Sequence, residues 1–164
     1  MLDGIHKIHL IGIGGSGMRA IANILIQKGY DVSGSDVAES AVISKFREMG
    51  ATVHIGHNKE YVNGVDAVVR STAIREDNPE IVAAKEQGIT ILHRSDIVKA
   101  VLDVTDGIAV AGAHGKTSTT SMIGQILVEA DADPTVIIGG EVDYLKGSSC
   151  LGKGHFSVVE ADES

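Results

Sequence analysis

The 164-residue chain is 43% hydrophobic and 22% charged, which excludes a disordered protein and fits one domain, or one domain and part of another. Its formal net charge of −8, without a basic stripe, argues against general nucleic-acid binding. An anionic ligand then has to be held by backbone amides and a few cations. Cys150 is the only cysteine, so an internal disulfide is impossible and a reducing, cytoplasmic location is expected. No apolar run reaches the roughly 20 residues of a membrane span, and we expect neither an anchor nor a signal peptide.

Strand and helix patterns alternate over the first hundred residues. Strands are predicted at 7–13, 30–36, 51–56, 65–73 and 89–93, and helices at 18–29, 39–50, 78–88 and 95–103. Ser95 is the expected N-cap of the last of these helices. In the first helix Arg19, Asn23 and Gln27 are four residues apart and form a polar stripe that we expect to face water. This alternation predicts an α/β fold, with a doubly wound, Rossmann-like parallel sheet in a domain of residues 1–103.

The pattern restarts after about Asp106. A strand at 107–111, a glycine loop and a helix at 115–130 come first, and further strands are predicted at 134–140 and 155–161. Residues 104–164 are therefore interpreted as the start of a second α/β domain, and the sequence Gly-Lys-Thr at 115–117 in its glycine loop indicates the P-loop ATPase class. We expect this domain to be truncated, because so short a unit cannot bury both faces of its sheet. Five apolar residues of its helix recur at helical spacing and are expected to face a core: Met122, Ile123, Ile126, Leu127 and Ala130.

The first glycine loop, "GIGGSG" at 12–17, fits G-x-G-x-x-G between a strand and a helix. The glycines permit a tight turn and close approach of a diphosphate, while the helix N-terminus supplies oriented amides. Asp36 ends the second strand, where a carboxylate can accept hydrogen bonds from a ribose. The motif alone does not separate NAD from another nucleotide diphosphate, and a packing turn is the alternative interpretation.

Polar residues also follow the third and fourth strands, at the edge where such sheets bind ligands. His57 follows the third strand, and Ser71 and Thr72 end the fourth. A solvated loop histidine and turn-capping hydroxyls are the alternatives. Five further histidines show no metal-ligand spacing and are interpreted as structural: His6, His9, His54, His93 and His155.

The second glycine loop, "GAHGKTSTT" at 112–120, lies between a strand and a helix. The usual form G-x-x-x-x-G-K-[ST] has a glycine where Val110 stands. Even so, Gly115 supplies backbone freedom, Lys116 a positive charge and Thr117 a hydroxyl ligand for Mg²⁺. A hydroxyl-rich helix cap is the alternative. The metal also needs a carboxylate, and three stand at the end of the last predicted strand: Glu160, Asp162 and Glu163.

In this order the motifs resemble those of the Mur ligases, whose ATP loop is the shorter G-x-x-G-K-[ST]. The resemblance spans nearly the whole chain and is carried by "HLIGIGGSGM" (9–18), "GSD" (34–36), "STAIREDNPE" (71–80), "GAHGKTSTT" (112–120) and "EADES" (160–164). Within the family the pattern is most similar to the branch that joins L-alanine to UDP-N-acetylmuramate in peptidoglycan synthesis. The branch that recycles murein tripeptide shares the architecture but lacks the "GIGGSGM" form, so it ranks second.

The resemblance implies that one loop holds a UDP-sugar and the other ATP. UDP-N-acetylmuramate is expected at Gly14, Gly15, Ser16, Gly17, Asp36, His57, Ser71 and Thr72, with Asp36 and His57 near the uridine. ATP is expected at Gly112, Ala113, His114, Gly115, Lys116, Thr117 and Ser118. Lys116 is the expected catalytic residue, and Thr117 and Glu160 are the expected Mg²⁺ ligands. Ala113 departs from the family's usual threonine, but its backbone amide remains.

The family's L-alanine site, adenine contacts and second-metal histidine are expected to lie outside this chain. By that resemblance the chain alone binds UDP-sugar without catalysing amide-bond formation. Two other classes of protein remain as alternatives. An NAD-dependent oxidoreductase would use the first loop but leaves the second unexplained. A nucleotide-sensing module would bind ATP but not the UDP-sugar.

Overall fold

The computed structural model describes residues 1–161, and the first hundred of these form a parallel α/β unit. Its strands are β1 (Lys7–Ile11), β2 (Asp31–Asp36), β3 (Thr52–Ile55), β4 (Ala67–Arg70) and β5 (Thr90–His93). Its helices are α1 (Ser16–Gln27), α2 (Ala41–Glu48), α3 (Pro79–Glu86) and α4 (Arg94–Leu102). The sheet has the order β3-β2-β1-β4-β5 and every pairing is parallel. The predicted doubly wound, Rossmann-like sheet is thus confirmed.

Helices cover both faces of this sheet. The side chains of successive strand residues point to opposite sides, so both faces carry apolar side chains against which a helix can pack. On β4, Val69 belongs to the apolar cluster formed with α1 and α2, whereas its neighbour Val68 packs with Ile81 of α3. Fully burying each such side chain contributes about 1.5–3 kcal/mol. Both clusters lie next to β1, so the carboxyl end of this central strand is held rigidly where the first glycine loop begins.

Helix α4 begins one residue earlier than expected, and its cap differs from the prediction. The His93 side chain accepts a hydrogen bond from the Ser95 amide, and the Asp96 carboxylate accepts one from the His93 amide. His93 is therefore the N-cap, and the assignment of that role to Ser95 was wrong. An imidazole nitrogen with a free lone pair caps the helix as a hydroxyl oxygen would.

A second sheet follows. It contains β6 (Asp106–Val110), β7 (Thr135–Val142), β8 (Gly147–Cys150) and β9 (Phe156–Glu160), with α5 (Lys116–Glu129) between β6 and β7. The order is β6-β9-β7-β8; β6, β9 and β7 are parallel, and β8 is antiparallel to β7. The β7–β8 hairpin was not predicted from the sequence. Within residues 1–161, none of the helices is long and apolar enough to cross a membrane.

The second sheet packs against α1 and α4 of the first unit. An apolar cluster joins Ala20 and Ile24 of α1 and Val101 of α4 to Ile137 and Val159 of the second sheet. The two sheets therefore enclose α1 and α4 between them. This packing fixes the N-terminal ends of both helices relative to the strand ends of the second sheet.

The polar stripe on α1 belongs to the same interface. Arg19 donates a 2.7 Å hydrogen bond to Glu141, and the Asn23 amide donates one of 2.9 Å to the Ser149 hydroxyl. The expectation that this stripe faces water was therefore wrong for these two residues. Their contacts are made with the β7–β8 hairpin, whose position the sequence pattern did not reveal.

Helix α5 packs on the second sheet through small and polar residues. Thr120 and Gly124 are its buried residues, while the side chains of Met122 and Ile126 are 58% and 67% exposed. Ala130 is exposed as well, and Ile123 and Leu127 are half-buried. The expectation that all five apolar residues face a core was therefore wrong. The sheet contacts only one side of the helix, and nothing in residues 1–161 covers the opposite side.

Candidate functional site

The first glycine loop opens onto a cavity of about 630 Å³ at the carboxyl edge of the first sheet. All eight residues expected to bind the UDP-sugar line it: Gly14, Gly15, Ser16, Gly17, Asp36, His57, Ser71 and Thr72. They come from the ends of four neighbouring strands, and this is the edge where doubly wound sheets bind ligands. The structure thus brings the whole predicted set to one place, while their individual roles stay predictions.

Backbone amides at the start of α1 point into this loop. The first intrahelical bond runs from the Arg19 amide to the Gly15 carbonyl at 2.9 Å. The amides of residues 16–18 precede that bond, so they lack an acceptor within the helix. Together with the positive end of the helix dipole they form a site suited to a diphosphate.

The Asp36 carboxylate holds the loop in place. One oxygen accepts a 2.8 Å hydrogen bond from the Gly14 amide, and the other accepts one of 2.7 Å from the Val37 amide. Each carboxylate oxygen has a second lone pair, so Asp36 can still accept a bond from a ribose hydroxyl. Its first function in the fold is nevertheless to fix the turn after β1.

His57 lies on the wall of the cavity and is anchored from behind by Glu80, the second residue of α3. The His57 Nδ1 atom is 3.1 Å from a Glu80 carboxylate oxygen; the His57 side chain is 23% exposed and that of Glu80 is fully buried. The other Glu80 oxygen lies 3.2 Å from His9 Nε2 on β1. Sequence reasoning missed Glu80, because an acidic residue in the first turn of a helix is common at exposed positions.

The cavity is also lined by His93, the last residue of β5, and by Arg94, which follows it. The Arg94 guanidinium lies directly against Gly17 of the first loop. The buried Nε2 atom of His93 has no hydrogen-bond partner among residues 1–161. Neither residue was predicted to belong to the site. Their positions in the sequence could have indicated this, since both stand at the end of a predicted strand, on the same edge of the sheet as Ser71 and Thr72.

The second loop follows β6 and ends in Gly115, whose φ of +78° lies in the left-handed region that favours glycine. The first α5 bond runs from the Thr119 amide to the Gly115 carbonyl at 2.9 Å, leaving the amides of residues 116–118 without an intrahelical acceptor. Lys116 Nζ donates a 2.6 Å hydrogen bond to the Gly112 carbonyl, back across the loop. The loop residues Ala113 and His114 are exposed. Like the first loop, this loop presents free amides at a helix N-terminus, and it adds a cation, as phosphate binding requires.

Thr117 and Glu160 meet beneath this loop. The Thr117 hydroxyl donates a 2.9 Å hydrogen bond to one Glu160 oxygen, and the Gly139 amide donates one of 2.6 Å to the other. Glu160 ends β9, directly beside Val110 of β6. A hydroxyl and a carboxylate at this distance fit Mg²⁺, which is usually bound by one or two protein oxygens together with substrate phosphates.

Within residues 1–161, no group of three or more His, Cys, Asp or Glu side chains could hold a metal ion by itself. A metal at Thr117 and Glu160 would therefore depend on a ligand for its remaining contacts, as Mg²⁺ bound with a nucleotide does. The other two candidate carboxylates, Asp162 and Glu163, lie outside the described residues.

The first loop lies close to Glu160, the residue that contacts Thr117 beneath the second loop. A narrow cleft between the sheets is lined by Gly17 of the first loop, by Arg94, and by Gly139 and Glu160 next to the second loop. The cleft has a volume of about 10 Å³, so it shows that Gly17 lies near Glu160 but leaves room for little more than a water molecule.

These features match a known family. The model of the Mur ligase family, catalytic domain, matches residues 7–104, which is more than half of the chain. The chain belongs to the Mur ligase family. Over all 164 residues it is 47% identical to a UDP-N-acetylmuramate–L-alanine ligase from Solidesulfovibrio magneticus, of which it covers 36%. It is also 46% identical to the ligase of the same name from Delftia acidovorans, of which it covers 34%. The chain thus spans little more than a third of the length of these curated relatives.

Solved structures show the same likeness. The UDP-N-acetylmuramate–alanine ligase from Thermotoga maritima has a TM-score of 0.88 at 36% identity; the match covers 96% of this chain and 37% of that one. The UDP-N-acetylmuramate:L-alanyl-γ-D-glutamyl-meso-diaminopimelate ligase from Neisseria meningitides has a TM-score of 0.89 at 28% identity, with coverage of 98% and 53%. Fold similarity alone therefore does not separate these two activities.

Proposed function

We propose that this chain is the substrate- and ATP-binding part of a ligase that joins L-alanine to UDP-N-acetylmuramate in peptidoglycan biosynthesis. The observation that carries the proposal is the pair of glycine loops, each followed by a helix whose first amides have no acceptor within the helix. The names of the relatives with 46–47% identity support the choice of substrates. We assign no residue of this chain to L-alanine, and we place the reaction in the cytoplasm.

In the first site, the diphosphate of UDP-N-acetylmuramate lies against the amides of residues 16–18. The uridine extends toward Asp36 and His57, at the ends of β2 and β3. The sugar extends the other way, toward Ser71, Thr72 and the cleft beside Arg94. This orientation is supported by the order of the strands, which places β2 and β3 on one side of the loop and β4 and β5 on the other.

In the second site, residues 112–118 surround the phosphates of ATP. Thr117 and Glu160 are suited to hold a Mg²⁺ ion, which when bound neutralises phosphate charge. The Lys116 ammonium moves from the Gly112 carbonyl to the γ-phosphate and stabilises the charge that develops there during transfer.

The reaction then proceeds in two steps. An oxygen of the lactyl carboxylate attacks the γ-phosphorus of ATP, the bond to the β–γ bridging oxygen breaks, and ADP leaves, giving an acyl phosphate. The neutral amine of L-alanine next attacks the acyl carbon; the C–O bond to phosphate breaks, and the amine loses a proton. This chain contributes to the first step by holding the UDP-sugar at the first loop and the phosphates of ATP at the second.

The ligase that recycles murein tripeptide is the second candidate, favoured by the TM-score of 0.89 to the Neisseria structure. Both candidates place the same UDP-sugar in the first site and ATP in the second. They differ in the amine that attacks the acyl phosphate. L-Alanine and the tripeptide therefore have to be compared as acceptors in the complete ligase.

The binding proposal is tested on the 164-residue chain by isothermal titration calorimetry. UDP-N-acetylmuramate and Mg·ATP should each bind with one-to-one stoichiometry, and neither should prevent the other from binding. NADH is the control ligand. Tight NADH binding without binding of the UDP-sugar would support an oxidoreductase, and binding of Mg·ATP alone would support a nucleotide sensor.

A further inference from the structure

The buried carboxylate of Glu80 forms an unusually complete set of hydrogen bonds behind the first site. One oxygen accepts from the Ser35 hydroxyl at 2.7 Å and lies 3.2 Å from His9 Nε2. The other accepts from the Asn58 amide at 3.2 Å and lies 3.1 Å from His57 Nδ1. A buried carboxylate is tolerated only when it is paired in this way. All four of its partners belong to or follow strands whose carboxyl ends build the cavity.

Glu80 is ionised in this environment. Burial by itself raises the pKa of the carboxyl group, but the hydrogen bonds from His9 and Ser35, the charge of His9 and the bond from His57 together hold that pKa below its ordinary value. An ionised carboxylate can only accept hydrogen bonds. Every polar group within hydrogen-bonding distance of the Glu80 carboxylate must therefore act as a donor.

This requirement determines the tautomer of His57. The only hydrogen of the Ser35 hydroxyl is directed to Glu80, and the Ser35 oxygen also lies 3.2 Å from His57 Nδ1. Both neighbours of Nδ1 are thus acceptors, so Nδ1 carries the hydrogen. The Nε2 atom of a neutral ring then has a free lone pair. Its lone pair diverges from the Nδ1–H bond that points to Glu80, and the hydrogen bonds of the His57 ring within residues 1–161 are made by Nδ1.

We propose that Glu80 is a positioning residue of the first site, which fixes His57 as the Nδ1–H tautomer so that Nε2 accepts a hydrogen bond from the uridine part of the ligand. The donor is an O–H of the ribose or the ring N–H of the uracil. This inference rests on the proposed function of the cavity. Glu80 itself touches no ligand and acts through His57.

The tautomer is tested first, without any ligand, in the ¹⁵N-labelled 164-residue chain at pH 8. Long-range ¹H–¹⁵N correlations of the imidazole rings distinguish a protonated nitrogen from an unprotonated one. We expect His57 to show a protonated Nδ1 and an unprotonated Nε2. An Nε2–H form would overturn the proposal. Addition of UDP should then shift the Nε2 resonance in the direction of an accepted hydrogen bond, and an unchanged resonance in a UDP-bound protein would also overturn it.

Two substitutions separate positioning from a merely structural function. Glu80→Ala removes the acceptor, so His57 should change to the Nε2–H form and UDP should bind roughly three- to tenfold more weakly. Glu80→Gln should keep the tautomer and bind UDP within about threefold of the parent, because its amide oxygen still accepts from His57 and Asn58. Glu86→Gln, at an exposed position of the same helix, is the matched control and should change nothing.

The experiments distinguish a failure of the positioning function of Glu80 from a failure of the proposed function of the cavity. A Glu80→Ala protein that changes tautomer but binds UDP like the parent would refute the positioning function. A parent that shows the Nδ1–H form but binds no UDP would refute the proposed function of the cavity instead. If Glu80→Ala does not fold, as a thermal melt would reveal, the parent spectra with and without UDP decide the question.

Discussion

The Thr117 hydroxyl donates a 2.9 Å hydrogen bond to the Glu160 carboxylate, although the two residues are 43 positions apart in the chain. The parallel pairing of β6 with β9 produces this contact, because it places Glu160 beside Val110, just before the second loop. The Gly139 amide holds the other carboxylate oxygen at 2.6 Å. Under the proposed function these two oxygens hold Mg²⁺, and their fixed orientation before a nucleotide arrives lowers the entropic cost of binding.

Glu160→Gln should abolish the dependence of ATP binding on Mg²⁺. The substitution keeps the shape of the side chain but removes the negative charge that a hard cation prefers. We expect the affinity for Mg·ATP to fall roughly ten- to a hundredfold, which corresponds to about 1.4–2.8 kcal/mol of binding free energy. Calorimetric titration with and without a chelator measures the effect. Glu129→Gln, at the exposed end of α5, is the control and should retain the parent's dependence on Mg²⁺.

Gly15→Val should block binding of the UDP-sugar at the first loop. A Cβ at this position would lie 3.2 Å from the Gly12 carbonyl oxygen, and the branched methyl groups would occupy space that the diphosphate needs. We expect at least a hundredfold loss of affinity for UDP-N-acetylmuramate, with Mg·ATP binding unchanged. Gly147→Val is the control, because a Cβ there would meet no atom within 4 Å. Equal affinity of Gly15→Val and the parent would show that the loop does not hold the diphosphate.

The exposed apolar side of α5 should promote self-association of the chain. Met122 and Ile126 lie four positions apart on one side of the helix, and both are more than half exposed. Replacing both with lysine should reduce any concentration-dependent increase in mass seen by light scattering. The free energy of unfolding should change by less than about 1 kcal/mol, since surface substitutions usually cost little. A large loss of stability would mean that this side is buried in solution.

Local patterns predicted most elements and both loops, because each depends on residues adjacent in the chain. The strand–loop–helix units around Gly15 and Gly115 show this, since the same few residues form the turn and supply the amides. The predicted site residues at the ends of β2, β3 and β4 also gather at one cavity. That result follows from the parallel sheet, which brings the carboxyl ends of all its strands to one edge.

Features that depend on distant parts of the chain were missed. The burial of Glu80 is decided by where β1 and β2 place His9 and Ser35, 71 and 45 positions away. The β7–β8 hairpin and the contact of Asn23 with Ser149, 126 positions away, belong to the same class. Apolar spacing on α5 likewise indicated a helix correctly but could not tell which of its sides the second sheet would cover.

Acid should destabilise the fold through Glu80. Because the pKa of this carboxyl group is lowered in the folded state, its contribution to stability is fully present above its unfolded pKa of about 4.5 and is lost as the pH falls through the folded value. Urea midpoints should therefore decrease below about pH 4.5. Glu80→Gln should be less stable than the parent at pH 7 and should show a shallower decrease in acid. Glu86→Gln should follow the parent at every pH.

Lys116→Ala should lower kcat of the complete ligase more than it raises KM for ATP. The ammonium donates to the Gly112 carbonyl at 2.6 Å, so it has a partner before the nucleotide binds. When ground-state ATP binds, the Lys116 ammonium therefore exchanges its hydrogen bond to the Gly112 carbonyl for a contact with a phosphate oxygen, with little net gain in affinity. The gain comes when charge develops on the transferring phosphoryl group, and it is worth on the order of 3–4 kcal/mol, or roughly a hundred- to a thousandfold in rate.

The companion variants make this prediction specific. Lys116→Arg should restore little of the rate, because a planar guanidinium replaces a compact ammonium within a tight loop. Lys28→Ala, at an exposed position just after α1, should behave like the parent. If Lys116 were only a surface residue near the start of a helix, both Lys116 variants would keep near-normal kcat. Steady-state kinetics decides between the two, and a kcat of Lys116→Ala within a few-fold of the parent would refute the assignment of this loop to ATP.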